Sequence, residues 1–360
     1  MSLRLHWFLP LHGDGKELAK RSDGSGSPGA RREPDLAYLT EVALAAERFG
    51  FAGMLTPFGL FCEDPWVMTA ALAMLTRRIN FLVALRPGLA SPVLVAQAAA
   101  TLQRVSGGRL EFNIVTGGDA DEQRRYGDPV PYAQRYERTG EFLDVFHRAW
   151  SGERFDFHGA HYDITGGMLA RPHTQRPRIY LGGSSDAARA IAARHGDVLL
   201  NWGEPPAATA RFVAAAREAA QAQGRALETG VRFHVIARDT PAEAWAVARR
   251  LLETMDPARI RQAQQRFRAS DSEGQRRMAA LHGGRTDELE VYPNVWAGYG
   301  LVRPGVGTAL VGSHEDVADR IEEYHGLGVD HLILSAQPHL EEAHAFGEGV
   351  LPLLRKRGVV

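Results

Sequence analysis

The sequence lacks the features that mark several large classes of protein. Its one cysteine, Cys62, cannot form a disulfide within the chain, which fits a reducing compartment. No apolar run approaches about 18 residues, and no basic region followed by an apolar stretch stands at the N-terminus, so we expect no membrane span and no signal peptide. Lys and Arg number 42 against 43 Asp and Glu, so no general positive field attracts nucleic acid or membranes. We expect a soluble, cytoplasmic protein.

Signatures of a nucleotide fold and of a metal site are also incomplete. The best candidate for a dinucleotide fingerprint, residues 305–310, lacks the third glycine, and no clear strand precedes it. His12 and Asp14 resemble half of a metal site, but the chain has no closely spaced histidine pair. A metal-dependent barrel hydrolase that also uses His234 and His339 therefore stays a minority alternative.

What the sequence does contain is a regular alternation of strand-like and helix-like segments. Eight apolar segments read as strands, and each is followed by a helical pattern. This is the arrangement of an α/β fold of the (β/α)8 TIM barrel type, with residues 1–360 as a single domain. A doubly wound open sheet is the alternative. The predicted strands are residues 2–10, 51–56, 79–85, 109–115, 178–181, 198–201, 231–236 and 331–334.

Two segments interrupt the alternation. Residues 15–34 are too rich in glycine and serine to bury a core, so we predict a mobile loop there. Residues 255–299 form an irregular insertion before the last strand, which in a compact barrel is typical of a lid. Such a lid would carry Arg303, just beyond its end, over a bound anion and exclude water.

The strand at residues 231–236 carries the strongest indication of a site. Its period of two places Arg232 and His234 on one face and two apolar side chains on the other. Because strands of an α/β barrel are covered on their outer face, the arginine and the histidine should point inward at the mouth of a cavity. His339, just after the last strand, should face the same mouth.

Other motifs have two readings each. The Gly-Gly-Ser-Ser sequence at 182–185, between a strand and a helix, suits an anion at a helix N-terminus, but equally an ordinary turn with a serine N-cap. Residues 113–119 end a strand in small polar side chains, typical of a rim or of a plain turn. Tyr136 is placed to reach a phosphate or to pack. A lone cysteine such as Cys62 is usually a small core residue.

Taken together, these stretches resemble the FMNH2-dependent alkanesulfonate monooxygenases of the bacterial luciferase-like superfamily. The resemblance extends over nearly the whole chain, from Trp7 to Ala343, and its parts occur in the family's order. The segments that carry it are residues 62–64, 81–87, 113–117, 182–185, 202–206, 276–282 and 307–312.

The resemblance implies a barrel that binds reduced FMN, delivered by a separate NAD(P)H-dependent flavin reductase. FMNH2 and O2 would then split a sulfonate into an aldehyde and sulfite. By matching position, Tyr136, Ser184 and Ser185 would hold the FMN phosphate. Thr116 and the Ala84–Leu85 segment, with a cis peptide bond between these two residues, would lie against the flavin ring. The resemblance also implies a homo-oligomer, a dimer or a tetramer.

The same resemblance implies the substrate pocket. A sulfonate has three acceptor oxygens and one charge, which suit guanidinium, imidazole and indole donors. Catalytic roles fall to Cys62, Arg232, His234, Arg303 and His339. The substrate-binding residues would be His12, Leu60, Trp202, Arg232, His234, Arg303 and Gln337.

Two departures from the family pattern concern the substrate. The family has Thr-Gly-Arg-Ser before the cysteine, whereas residues 58–61 are Phe-Gly-Leu-Phe here, and a tyrosine two residues before His339 is replaced by Gln337. The wall near Leu60 therefore loses an arginine, and we predict a bulkier or more apolar substrate than methanesulfonate. A luciferase-like enzyme with a different substrate, and a flavin-binding protein without turnover, remain alternatives.

Overall fold

The computed structural model describes residues 2–15 and 31–360, and at its centre is a closed sheet of eight parallel strands. These are β1 (Arg4–Phe8), β2 (Gly53–Thr56), β3 (Asn80–Leu85), β4 (Leu110–Ile114), β5 (Arg178–Gly182), β6 (Val198–Trp202), β7 (Glu228–Arg238) and β8 (His331–Ser335). Strand β1 pairs with both β2 and β8, and β7 pairs with both β6 and β8, which closes the sheet. The predicted (β/α)8 TIM barrel is confirmed.

Helices surround this barrel. The described helices are α1 (Leu36–Phe49), α2 (Pro65–Leu75), α3 (Pro92–Ser106), α4 (Ala120–Arg125), α5 (Tyr132–Ser151), α6 (Asp186–His195), α7 (Pro206–Gln221), α8 (Pro241–Glu253), α9 (Pro257–Arg268), α10 (Glu273–His282), α11 (His314–Gly326) and α12 (His339–Lys356). Local sequence sets several ends: Asp64 accepts from two backbone N–H groups to start α2, and Gly50, at φ 82°, ends α1 in the left-handed conformation. None of the helices in the described ranges is long and apolar enough to span a membrane.

Side chains inside the barrel form layers along its axis. At the end where the strands begin, His6 Nε2 lies 3.1 Å from His331 Nδ1, and His331 Nε2 lies 2.6 Å from Glu228. At the opposite end, Arg232 and His234 face inward. A buried apolar cluster fills the barrel between these two ends, from Tyr180 beside His331 to Phe8 beside Arg232. Its other members are Leu55, Leu82, Val198, Leu200 and Ile333.

The insertion predicted at residues 255–299 contains α9, α10 and a short hairpin of Glu290–Tyr292 and Val295–Trp296. The hairpin pairs with a further strand, Ala309–Ser313, which runs parallel to the C-terminal half of β7. We did not predict this strand, because its five residues carry no signal beyond a short apolar run after glycines. Sheet hydrogen bonds therefore attach the insertion, through Ala309–Ser313, to the strand that bears Arg232 and His234.

Two smaller hairpins lie outside the barrel. Phe155–His158 pairs with Asp163–Gly167 in an antiparallel hairpin. Asp14–Gly15 pairs with Arg31–Arg32 in an antiparallel bridge. The predicted mobile loop at 15–34 lies mostly outside the described residues, since 16–30 are not among them.

Helices α2 and α3 expose an apolar surface. Helix α2 has no charged side chain, yet Val67, Ala70 and Met74 are exposed along one stripe. Leu94 and Val105 are exposed on the neighbouring α3. Soluble monomers rarely expose contiguous apolar patches larger than about a few hundred Å². The homo-oligomer stays a prediction, and this surface is where we expect a second copy to pack.

We predict that acid weakens this fold through two stacked histidines, His147 and His195, whose rings lie 6.0 Å apart. Burial, aided by nearby arginines, lowers the pKa of each to about 4 from an ordinary value of 6.5. Both are neutral in either state above pH 6.5. Between 6.5 and about 4 the unfolded chain binds more protons, so the free energy of unfolding falls by up to about 1.4 kcal/mol per pH unit for each histidine.

Urea unfolding at pH 7, 6 and 5 measures this slope, and His195→Gln should reduce it by one histidine's share. Equal slopes for the wild type and the variant would contradict the prediction.

Candidate functional site

Strand β7 places two of the predicted site residues inside the mouth of the barrel. Arg232 and His234 point inward, whereas Phe233 and Val235 belong to the core between strands and helices. The Phe233 ring lies 5.0 Å from that of Tyr324 on α11. Packing on the outer face therefore fixes the register of β7, because a shift of one residue would turn Arg232 and His234 outward and Phe233 and Val235 inward.

Phe8 at the end of β1 is a platform around which three predicted residues meet. The Arg232 guanidinium carbon lies 4.5 Å from the centre of the Phe8 ring, a cation–π distance. The His339 ring lies 5.4 Å from the Phe8 ring and the His12 ring 5.9 Å. We did not single out Phe8 from the sequence, although its inward direction follows from the alternation along β1.

Arg232 is a cation in an unfavourable environment. Burial, aided by the charge of Arg303, lowers the pKa of Arg232 to about 9. No carboxylate of the described residues counteracts this shift, and the buried Nε atom has no hydrogen-bond partner among them. Arg232 is half-buried, and a partly desolvated charge without a carboxylate partner is costly, so the mouth of the barrel favours an anionic ligand beside it.

His234 is held as a neutral side chain. Its Nδ1 lies 2.9 Å from Ser335 Oγ, and its ring stacks at 3.9 Å and 10° on Tyr299 from the insertion. Burial and the charges of Arg303 and Arg232 hold its pKa well below the ordinary value. His234 can therefore donate a hydrogen bond or pack, but the positive charge at the mouth comes from the arginines.

The insertion closes over the side of the mouth where β6 ends. The Cα of Gly274, in the first turn of α10, approaches Trp202 so closely that a Cβ there would lie 3.2 Å from the indole. Arg277 on the same helix forms two hydrogen bonds, of 2.6 and 3.0 Å, with the buried carboxylate of Glu204. Asn201 donates to the same carboxylate at 3.1 Å. We call the Arg277–Glu204 pair the latch.

Three residues predicted to hold a phosphate converge after β5. A Cβ on Gly183 would lie 2.5 Å from that of Ala188 and 3.3 Å from Tyr136 Oη, so the backbone there packs directly against α6 and the tyrosine. Ser185 is the N-cap of α6, and its Oγ accepts from Ala188 N–H at 3.2 Å. Ser184 lies between them, facing α10. Hydroxyls, a glycine backbone and a helix N-terminus are together suited to a phosphate.

The residues predicted to contact a flavin ring line the adjacent strand ends. Ala84 and Leu85 are buried at the end of β3, and Thr116 is buried just beyond β4. The bond between Ala84 and Leu85 is trans, which corrects our expectation; the cis peptide of the described residues joins Gln337 to Pro338. Asn113 Oδ1 is buried near this wall without a hydrogen-bond partner among the described residues, and we did not predict it.

The remaining predicted residues are less closely grouped. Cys62 is half-buried against the main core, in the turn after β2. Leu60 in the same turn is 50% exposed, whereas its neighbour Phe61 contacts His12 edge-on at 6.2 Å. Gln337 is buried at the mouth, and its Oε1 has no partner among the described residues.

Arg303 follows the short 3-10 helix Gly298–Leu301, and its backbone N–H donates to the Tyr299 carbonyl at 3.1 Å. Its charge lowers the pKa of both Arg232 and His234. The structure thus brings Arg303 to the inner face of β7 although it lies 71 positions along the chain from Arg232.

The metal-hydrolase alternative finds no support. Asp14 is bonded to His339 and Tyr38, and His234 to Ser335. In the part of the chain that is described, no group of three or more histidine, cysteine, aspartate or glutamate side chains is arranged to hold a metal ion.

Comparisons with known proteins agree with this fold. A riboflavin lyase, solved with modified FMN and its substrate riboflavin, is 24% identical, with a TM-score of 0.83 over 100% of this chain and 93% of the other. An EDTA monooxygenase from Chelativorans sp. BNC1 is 23% identical, with a TM-score of 0.81 over 100% of this chain and 95% of the other. A long-chain alkane monooxygenase is 20% identical, with a TM-score of 0.78 over 100% of this chain and 92% of the other. The sequence model of the luciferase-like monooxygenases matches residues 3–331, and the chain belongs to this family.

Proposed function

We propose that this protein is the oxygenating component of a two-component FMNH2-dependent monooxygenase that cleaves an organosulfonate to an aldehyde and sulfite. The observation that carries the proposal is the charge of Arg232 at the mouth of the barrel, which no carboxylate of the described residues neutralises. Arginine suits a sulfonate because its planar set of donors matches the sulfonate oxygens. An NAD(P)H-dependent flavin reductase would be the partner that supplies FMNH2.

The residues present fit FMN. The hydroxyl of Tyr136 and the hydroxyls of Ser184 and Ser185 surround a glycine backbone that has no room for a side chain, which is the arrangement a phosphate requires. Asn113 is the register partner of Ala84 on the neighbouring strand, and a flavin ring N–H bound there would satisfy its unpartnered Oδ1. Reduced FMN, when bound, supplies the electrons with which O2 is activated.

The overall reaction would balance with one O2 and one FMNH2 for each sulfonate, the FMNH2 being oxidised to FMN. One oxygen atom enters the aldehyde and the other becomes water, while the C–S bond breaks and its electron pair leaves with sulfite. Arg232 and Arg303 would bind the sulfonate, and their charge would stabilise the sulfite as it departs. His234, held neutral by burial and by these charges, would pack beside the anion without adding a charge of its own. The positive potential at the anion would then come from the two arginines.

The latch supports a role of the insertion in excluding water. Glu204 is buried, and through its 2.6 Å hydrogen bond Arg277 fastens α10 to the loop that follows β6. Helix α10 also contacts Trp202 and Ser184, so the same element borders the proposed substrate and phosphate sites. Exclusion of water protects an oxygenation from side reactions.

The first test is sulfite release from a panel of sulfonates supplied with an FMN reductase, NADH and O2. We expect longer-chain or aromatic sulfonates to exceed methanesulfonate, because Leu60 and Phe61 stand where the family pattern has arginine and serine, and Gln337 replaces a tyrosine. Methanesulfonate as the best substrate would contradict the predicted pocket. Turnover of a carboxylate or an alkane without any sulfite release would favour the alternative of another substrate within the family.

A second prediction concerns the phosphate site. Gly183→Ala places a Cβ where only 2.5 Å separates it from Ala188, so the loop must shift. We expect the dissociation constant for reduced FMN to rise about tenfold or more, equivalent to about 1.4 kcal/mol. Anaerobic flavin titration measures it.

The matched control is Gly326→Ala, since a Cβ at that position meets nothing within 4 Å. Riboflavin, which has no phosphate, should lose less affinity than FMN in the Gly183 variant. An unchanged dissociation constant for FMN in the Gly183 variant would show that the phosphate does not bind at this site.

A third prediction concerns the latch. Arg277→Gln removes both hydrogen bonds to Glu204, and a buried carboxylate left short of a partner costs about 1–3 kcal/mol. We expect α10 to open more often, so that less sulfite forms per NADH consumed and peroxide release rises severalfold. Arg276→Gln is the control, because that neighbour donates only to the carbonyls of Ser270 and Asp271. An equal yield of sulfite per NADH in the two variants would count against a water-excluding latch.

A further inference from the structure

A buried pair of side chains that the proposed reaction has not yet used lies at the edge of the mouth. His339 Nδ1 is 3.0 Å from Asp14 Oδ1, and the backbone N–H of His339 donates to Asp14 Oδ2 at 2.6 Å. Asp14 is 2% exposed and His339 1%. Two independent contacts between the same residues fix both the position and the orientation of the imidazole.

The surroundings of Asp14 keep it ionised. Burial raises its pKa, but the charge of His339 and hydrogen bonds from His339 and Tyr38 outweigh burial and lower the pKa to about 2. The Tyr38 hydroxyl donates to Oδ2, and the Gly15 N–H donates to Oδ1 at 2.8 Å. An ionised carboxylate accepts only, so the proton in the contact must reside on Nδ1 of His339.

The peptide group of His339 is also fixed. Its carbonyl accepts from Trp7 Nε1 at 3.2 Å, and the preceding residue, Pro338, is the N-cap of α12. Because the backbone and Nδ1 are both held, the ring has one orientation, which stacks it beside Phe8 at 5.4 Å. Arg232 lies over the same Phe8 ring at 4.5 Å.

We propose that Asp14 is a positioning residue that holds His339 with its proton on Nδ1 and stabilises the imidazolium, so that His339 adds a pH-dependent positive charge to the anion site of Arg232. The inference rests on the proposed function, since it assigns His339 to the same anionic substrate. His339 lowers the pKa of His234 through its charge, which places it within electrostatic range of the mouth. Arg232 and Arg303 would supply the constant charge there, and His339 the titratable part.

Several elements bring ionisable groups to this pair, and all of them bear on its titration. Hairpin residue Arg32 forms an ion pair with Glu341 of α12 and lies 5.2 Å from the Tyr38 ring. These neighbours include His12 after β1, Arg32 from the hairpin, Tyr38 from α1, Arg232 and His234 from β7, Tyr299 from the insertion, Arg303 just beyond it, and Glu341 and Glu342 from α12. Of these neighbours, Tyr38 is the one whose side chain bonds to Asp14 beside that of His339.

The test is Asp14→Asn, which keeps the shape of the side chain and removes its charge. We expect the pKa of His339, followed by NMR, to fall by about 1–3 units relative to the wild type, as for loss of an opposite charge within hydrogen-bond distance. His339→Gln identifies the resonance among the 14 histidines. Glu342→Gln is the matched control, because it removes a different buried carboxylate, on α12, that bonds to Arg238 and not to the His339 ring, so the pKa of His339 should fall less than in Asp14→Asn.

Affinity for a sulfonate probe, octanesulfonate, gives the second readout. In the wild type it should weaken as the pH rises through the pKa of His339, and in Asp14→Asn the weakening should move to lower pH. An unchanged pKa of His339 in Asp14→Asn overturns the inference. So does a wild-type ring whose ¹⁵N shifts place the proton on Nε2 alone, a measurement that applies even if the variant does not fold.

These readouts need no turnover, so the two proposals fail separately. A shifted pKa in Asp14→Asn with no sulfite from any sulfonate would end the proposed reaction and keep the Asp14–His339 pair. Sulfite release with an unshifted pKa would do the reverse.

Discussion

The site depends on the cost of burying Arg232. A guanidinium beside an aromatic ring, lacking a carboxylate partner among the described residues, loses hydration that the protein does not replace, and its pKa falls to about 9. Folding tolerates this because the barrel's apolar layers and outer core supply the stability elsewhere. An anion that enters the mouth restores what Arg232 has lost, so the free energy spent in the empty protein becomes selectivity for negative charge.

One strand connects the fold to that charge. The outer face of β7 is held by core packing, its first half closes the barrel, and its second half pairs with Ala309–Ser313. The insertion therefore continues the sheet that bears Arg232, and it brings Arg303 and Tyr299 to the same place. This arrangement explains how residues that are widely separated in the chain meet at one end of the barrel.

The sequence predicts the parts of this site that depend on periodicity. The eight barrel strands and the inward direction of Arg232 and His234 follow from patterns of two residues and from the alternation of strands with helices. Contacts between remote segments leave no such pattern. The bond between Asp14 and His339 spans 325 positions, and the stacking of Tyr299 on His234 arises from an insertion whose strand at 309–313 is too short to stand out. Nothing in the sequence distinguishes Arg277 from the other charged residues of a surface helix.

The distribution of carboxylates explains why the mouth can remain positive. Asp14 and Glu204 are both buried at this end of the barrel, and their charges would cancel those of the arginines if they faced the cavity. Each is instead satisfied by another cation, Asp14 by His339 and Glu204 by Arg277. The charge of Arg232 is thus preserved because the nearby acids are occupied. These two cations come from helices α12 and α10. The helices therefore determine the charge of the ligand as much as the residues that would touch it.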